Sequence, residues 1–312
     1  MAINQPEVIK KPLSDVQKNI RRFFRKLLSN RADKINRTKL GNTFIFTVLG
    51  LFGLFSILPM VLAISTSLKP LNELFLFPPQ FFARNPTLKN FADLFNLLSN
   101  SWVPFSRYLF NTVFITVMGT VGSILIGSLA AYPLAKHTKM PGRALIFTII
   151  TLSLMYNPVV ADVANYITMT ALGWLDSYLA LIIPAFGTTL GVFLMRQFMT
   201  QIPDSLIEAA KIDGASEYRI FWSIIMPNVK SGWLTMAVFS FNGLWNASGS
   251  IFIYREELKT LPYALSQITA GGLVKVGPAA AVAIIMMVVP IVFFILTQSR
   301  ILETMASSGM KE

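Results

Sequence analysis

Charge is what this sequence has least of. Only 13% of its 312 residues are Asp, Glu, Lys or Arg, about half the share found in an ordinary soluble domain. Cysteine is absent, which excludes a disulfide framework and any thiolate metal site. A single histidine, His137, excludes a histidine metal cluster and nearly excludes Ser-His-Asp chemistry. It sits between Lys136 and Lys139 in a short basic stretch and reads as a solvated loop residue. There is no Gly-x-x-x-x-Gly-Lys-Ser/Thr loop to cradle ATP phosphates, no His-Glu-x-x-His pair and no nucleophile elbow. No period of about 20–50 residues repeats, so a solenoid or propeller is not indicated.

What remains is strongly apolar: 54% of residues are hydrophobic and the mean hydropathy is +0.58. Stretches free of charge locate the spans. They are residues 40–68, 108–135, 144–161, 177–195, 231–254 and 276–299. About 20 apolar residues cross a bilayer as helix, so the direct reading is an all-α membrane protein with six transmembrane helices. Gly119, Gly122, Gly127, Gly187 and Gly191 fall within the second and fourth runs, where small residues let membrane helices pack closely. Pro59, Pro133, Pro184 and Pro290 mark expected kinks or ends. No acidic or basic group lies inside these runs. That argues against a self-powered carrier, which usually places ionisable groups near mid-membrane.

The net charge of +12 is spread along the chain in flanking segments, the pattern of a protein facing anionic lipid and not nucleic acid. With the N-terminus inside, the inner segments 1–39, 136–143, 196–230 and 300–312 hold 20 of the 27 basic residues. The positive-inside rule therefore puts both termini in the cytoplasm. The first forty residues contain no apolar run long enough for a secretory signal. Within the basic tail 1–41, Ile20, Phe23, Phe24, Leu27 and Leu28 share one helical face and Lys18, Arg21, Arg22, Arg25 and Lys26 the other. That pattern predicts an amphipathic helix in the inner headgroup layer, the alternative being a partly disordered basic tail. The expected organisation is a basic tail 1–41, a six-span transmembrane body 42–299 and a short polar tail 300–312.

Residues 203–227, on the predicted cytoplasmic side, read as helix, hinge, helix. Pro203 and Asp204 form a start signal, with the Asp204 carboxylate placed to cap the first amides. Gly214 supplies a left-handed end, and Ser216 is a second cap. Ile220, Phe221, Ile224 and Ile225 form an apolar stripe, and Pro227 breaks the run. On outline alone this also fits an ordinary helical hairpin on a membrane surface.

The residue identities go further. Glu208-Ala209-Ala210, then Gly214, Ile224 and Met226-Pro227 closely resemble the EAA loop of bacterial ATP-binding-cassette importer permeases, with Met226 where that family usually has leucine. Asn85-Pro86-Thr87, Trp245-Asn246 and Thr260-Leu261-Pro262 extend the resemblance to the smaller, maltose-permease-like subunit of carbohydrate importers. It implies a type I importer permease fold in the bacterial inner membrane, with a coupling loop at 196–230. It also implies a second permease, a cytoplasmic ATPase dimer that binds ATP and magnesium, an extracytoplasmic solute-binding protein and a carbohydrate substrate. No cofactor is expected in this chain. Glu208, Ala209, Ala210, Asp213, Gly214, Ile224 and Pro227 are the implied ATPase-coupling residues. Lys259, Thr260, Gln267, Gly271 and Gly272 are the implied binding-protein face.

The substrate path is read from residue type. Amides beside aromatics suit sugar hydroxyls and C–H faces, which points to Asn157, Asn165, Tyr166, Asn242, Trp245 and Asn246. Interhelical hydrogen bonding is the plainer role for any one of them. A permease for a peptide, amino acid or anion, a membrane-embedded enzyme and a membrane scaffold are the alternatives. Removal of residues 1–30 is expected to lower membrane insertion or stability and to leave solute choice unchanged, as measured by membrane yield and competition uptake. Normal insertion with lost ATPase docking would contradict this.

Overall fold

The computed structural model describes residues 39–78, 80–99, 103–156, 158–272 and 275–308. The N-terminal amphipathic helix, residue Asn157 and the last four residues lie outside them. Among the described residues there is helix and turn but no strand. The chain divides into two units, Met1–Leu58 and Pro59–Glu312.

The described part of the first unit belongs to α1 (Lys39–Leu68). Phe44, Phe46, Phe52 and Phe55 are exposed in different directions around it. A helix apolar on every side needs lipid or other chains to cover it.

The second unit is arranged around α4 (Phe105–Lys136), reached through α2 (Leu71–Leu74) and α3 (Lys89–Ser99). After it come α5 (Arg143–Ser153), α6 (Pro158–Ala171), α7 (Leu179–Phe186) and α8 (Thr189–Thr200). Two short helices follow, α9 (Asp204–Ile212) and α10 (Glu217–Ile220), then a π-helical turn, Phe221–Ile225, and α11 (Met226–Asn228). The unit closes with α12 (Lys230–Trp245), a 3-10 turn Glu256–Leu258, α13 (Leu261–Ala270) and α14 (Val276–Ser308). Helix α4 packs on α7, α8 and α12, and α12 in turn packs on α14. Small residues allow these approaches: Met236 of α12 lies directly over both Gly127 and Gly191, and the Phe186 ring lies over Gly122.

Among the described residues, four helical stretches are long and apolar enough to cross a membrane: Leu40–Leu68, Phe105–Lys136, Leu179–Thr200 and Val276–Gln298. The other two predicted runs are divided. The third is split between α5 and α6 by turns after Ser153. In the fifth, α12 stops at Trp245, where Asn246, Ser248, Gly249 and Ser250 favour turns over helix, and Gly249 has a φ of 64°. The four prolines read as kinks or ends all lie inside helices: Pro59, Pro133, Pro184 and Pro290.

The predicted outer segments are tightly tied. The Glu73 carboxylate accepts from the backbone amides of Arg84 and Asn85 at 3.0 and 2.9 Å. Asn90 donates to the carbonyls of Ser67 and Lys69, both at 2.7 Å. These bonds fold the Asn85-Pro86-Thr87 turn back on the end of α1. Farther along, Asn111 of α4 donates to the carbonyls of Glu257 and Lys259 at 2.8 Å. The Arg255 side chain donates to Asp176 at 2.6 Å, so the loops before α7 and after α12 are joined.

Gly122→Leu is expected to destabilise the purified protein by about 1–3 kcal/mol through overpacking against Phe186. Gly53→Leu, in open space, should have little effect. Thermal melting in detergent measures both, and equal melting temperatures would contradict the packing.

Candidate functional site

The knob between α8 and α12 is built from local rules. Its first helix, α9, begins at Asp204 and ends in a paired set of bonds: Ala215 N–H to Ala210 O at 2.9 Å and Gly214 N–H to Lys211 O at 3.1 Å. This is a Schellman end, and Gly214 takes the left-handed φ of 76° that it requires. Ser216 caps α10 by accepting from Arg219 N–H at 3.3 Å. Asp204 departs from expectation. It is the first helical residue, and its carboxylate takes the Lys136 ammonium of α4 at 2.7 Å. Pro227 does not end the helix either. It sits in α11, directly after the π-helical turn, and the irregular residue is Val229. A wide turn accommodates the backbone bond that proline cannot make.

One apolar core holds the knob to the spans. Ile207, Ala210, Ile220, Phe221 and Ile225 are buried in a single cluster with Tyr132 of α4, Met195 and Met199 of α8 and Met236 of α12. Burying each large side chain contributes roughly 1.5–3 kcal/mol.

Polar ties add position more than energy. Glu217 accepts from the Tyr132 hydroxyl at 2.8 Å and from Lys211 at 2.7 Å. The Lys211 contact first, and then Tyr132, hold its carboxyl below the usual glutamate value, against a smaller opposing effect of burial. The stability this contributes is present above the unfolded glutamate pKa and is lost as pH falls through the lower folded value. It is therefore intact at neutral pH. Both Lys211 and Glu217 are half exposed, and pairs of that kind contribute about 0–1 kcal/mol. Lys136 also donates to the carbonyl of Ile202.

The outward face of the knob is distinct. Glu208, Ala209, Asp213, Gly214 and Pro227 are exposed, and Ile212 and Tyr218 are 87% and 74% exposed. A cleft of about 810 Å³ beside it is bordered by Lys136, His137, Lys139, Glu208 and Lys211. Of the expected coupling residues, Ala210 is buried at 8% exposure and Ile224 packs against the core. They face the bundle because they lie on the same helical side as Ile207 and Ile220. Residue type in the motif did not reveal Ile212, Tyr218, Tyr132 or Lys136. The first two lie at positions the motif leaves open, and the last two are far away in sequence.

Among the expected path residues, Asn165 is half-buried. The Tyr166 hydroxyl meets that of Tyr254 at 2.7 Å. Asn242 and Asn246 are exposed one turn apart and joined at 2.7 Å. Trp245 is different: it is 1% exposed, and its indole N–H donates to the Met286 carbonyl at 2.9 Å. A large ring with one donor fits a helix interface once that donor is satisfied. Among the expected outer-face residues, Gln267, Gly271 and Gly272 are exposed. The Lys259 ammonium lies 3.7 Å from the centre of the Tyr263 ring. Thr260 is 1% exposed, with its hydroxyl shared between the carbonyls of Ala247 and Ser248 at 2.9 Å. It serves the interior.

The described residues form a helical bundle with membrane-length apolar helices and a polar knob fused to its core. The chain belongs to the family of binding-protein-dependent transport system inner membrane components, whose model matches residues 123–304. It is 32% identical to protein LplC of Bacillus subtilis over 246 residues, 75% of this chain and 79% of that one. It is 30% identical to the sulfoquinovosyl glycerol transport system permease protein SmoH of Agrobacterium fabrum, covering 86% of this chain and 91% of that one. A solved bacterial ABC transporter involved in import of the acidic polysaccharide alginate contains a chain of the same fold. Its TM-score is 0.72 at 22% identity, over 84% of this chain and 98% of that one. The protein is therefore a multi-pass permease component of the bacterial plasma membrane, not an enzyme.

Ile225→Ala, at a fully buried site, is expected to cost about 2–5 kcal/mol. Lys211→Ala is expected to cost under about 1 kcal/mol. Thermal melts of the purified protein compare them, and a larger loss for Lys211→Ala would contradict the ranking.

Proposed function

We propose that this chain is one of two permease subunits of a carbohydrate importer. A cytoplasmic ATPase dimer drives it, and an extracytoplasmic solute-binding protein supplies it. Six passes, with both termini in the cytoplasm, put the knob on the ATPase side. This topology rests on the distribution of basic residues. Membership in a binding-protein-dependent transport family supports the partners. The named substrates of SmoH and of the alginate transporter support a carbohydrate.

The single observation that carries the mechanism is the two-faced knob. Its inner side is part of the bundle core, and its outer side presents Glu208, Ala209, Asp213 and Gly214. Glu208 pairs with a basic group in the ATPase groove. Ala209 allows close approach, while Ile212 and Tyr218 give that groove apolar contacts to bury. ATP and magnesium bind in the partner, which closes and draws the two permease knobs together. Because the knob shares a core with α4, α8 and α12, its displacement turns those helices and exchanges inward for outward access.

The proposed path for the solute uses Asn157, Asn165, Tyr166, Asn242 and Asn246, whose amide and phenol groups match sugar hydroxyls. Gln267, Gly271 and Gly272 at the exposed end of α13 face the solute-binding protein.

Ala209→Arg is expected to reduce uptake by the reconstituted complex at least about tenfold, a loss of roughly 1.4 kcal/mol in coupling, with the fold retained. Transport and ATPase assays in the presence of candidate sugars measure it. Unchanged uptake would contradict the docking role.

A further inference from the structure

The cytoplasmic end of α4 carries a second feature that neither the knob nor the solute path uses. Two guanidinium groups converge there on one backbone oxygen. Arg143, at the start of α5, donates from Nε to the Leu134 carbonyl at 2.8 Å and from Nη2 to the Ala135 carbonyl at 3.0 Å. Arg196, on α8, donates from Nε to the same Leu134 carbonyl at 3.1 Å. The two cations are thus adjacent, and among the described residues neither makes an ion pair with a carboxylate. Arg196 is further fixed by the Phe147 ring, whose centre lies 3.5 Å from its Cζ. Phe147 itself stacks on Phe193, with ring centres 5.8 Å apart.

Both arginines line an open cleft of about 750 Å³, together with Thr138, Gly142, Leu145 and Phe147. Among the described residues, no acidic one borders it. Above the cleft, Leu145, Ile149 and Leu152 are exposed along one side of α5. Their spacing of four and three residues makes a continuous apolar strip. Paired cations at the foot of an apolar strip match an amphiphile with an anionic head and a hydrocarbon chain. A guanidinium fork suits phosphate oxygens in particular.

We propose that this cleft binds one anionic phospholipid of the inner leaflet. The phosphate lies between Arg143 and Arg196, and an acyl chain lies along Leu145, Ile149 and Leu152. The bound lipid would offset the repulsion between the two guanidiniums and brace the junction of α4, α5 and α8 directly above the knob. This rests on the cytoplasmic placement argued under the proposed function.

The test uses the intact transporter complex, purified from nanodiscs containing phosphatidylcholine alone or with phosphatidylglycerol, and read by native mass spectrometry of retained lipid. The expected result is one phosphatidylglycerol retained by the unaltered complex. Retention should fall about thirtyfold in the Arg143→Gln/Arg196→Gln variant, as expected for removing two surface cations facing an anionic lipid. Because both arginines also bond the end of α4, Ala144→Glu provides a second variant. It adds a carboxylate at the exposed position next to Arg143, leaves both guanidiniums in place and should also lose the lipid. Equal retention in Ala144→Glu and the unaltered complex would overturn the proposal. So would displacement of the lipid by millimolar inorganic phosphate, which would mark a soluble-anion site. Retention does not depend on solute uptake. A complex that transports normally without selective retention would therefore sink only this inference, whereas one that retains lipid without transporting would leave it standing.

Discussion

The knob and the spans share one hydrophobic core, and the proposed coupling depends on that sharing. Ile207, Ile220, Phe221 and Ile225 come from the polar loop, while Tyr132, Met195, Met199 and Met236 come from α4, α8 and α12. Several buried side chains at roughly 1.5–3 kcal/mol each outweigh the few exposed ion pairs at about 0–1 kcal/mol each. In the proposed mechanism, a force applied to the exposed side of the knob reaches α4, α8 and α12 through this core. The Lys136–Asp204 and Tyr132–Glu217 contacts set the angle at which the knob stands.

The same economy of charge explains the rest of the unit. The central helix α4 meets its neighbours through glycine, serine and threonine, with Ser123 and Ser240 bonded at 2.8 Å between α4 and α12. Such interfaces permit close packing where there is little hydrophobic drive between helices in lipid. At the predicted outer end, hydrogen bonds from Asn111 and Asn90 tie neighbouring backbone to α4 and α3, and Arg255 ties one loop to another. One end of the unit is thus tied by hydrogen bonds and the other by a shared apolar core.

Much of the knob was legible in the sequence because its rules are local. A glycine that must adopt positive φ, a serine three residues before the amide it caps and an alternation of charged and apolar positions are all readable within a few residues. The path and outer-face assignments were less legible. Trp245 and Thr260 have side chains that serve a surface and an interior equally well, and only long-range partners, Met286 for one and Ala247 and Ser248 for the other, decide between them. Asp204 shows the same effect at a helix start: a lysine 68 residues away takes the carboxylate that local pattern assigns to a cap. Charge-free length located apolar runs, but it does not register where small polar residues or consecutive turns divide a run, as they do after Ser153 and Trp245.

Because the chain has no native cysteine, paired spin labels can be placed without removing any residue. Ala209→Cys on the knob and Leu129→Cys on the exposed side of α4 report the separation between the loop and its span in the assembled transporter. The account predicts the same distance distribution in the nucleotide-free and ATP-bound states, with the pair moving as one body. A change of about one helical turn, roughly 5 Å, between those states would contradict it.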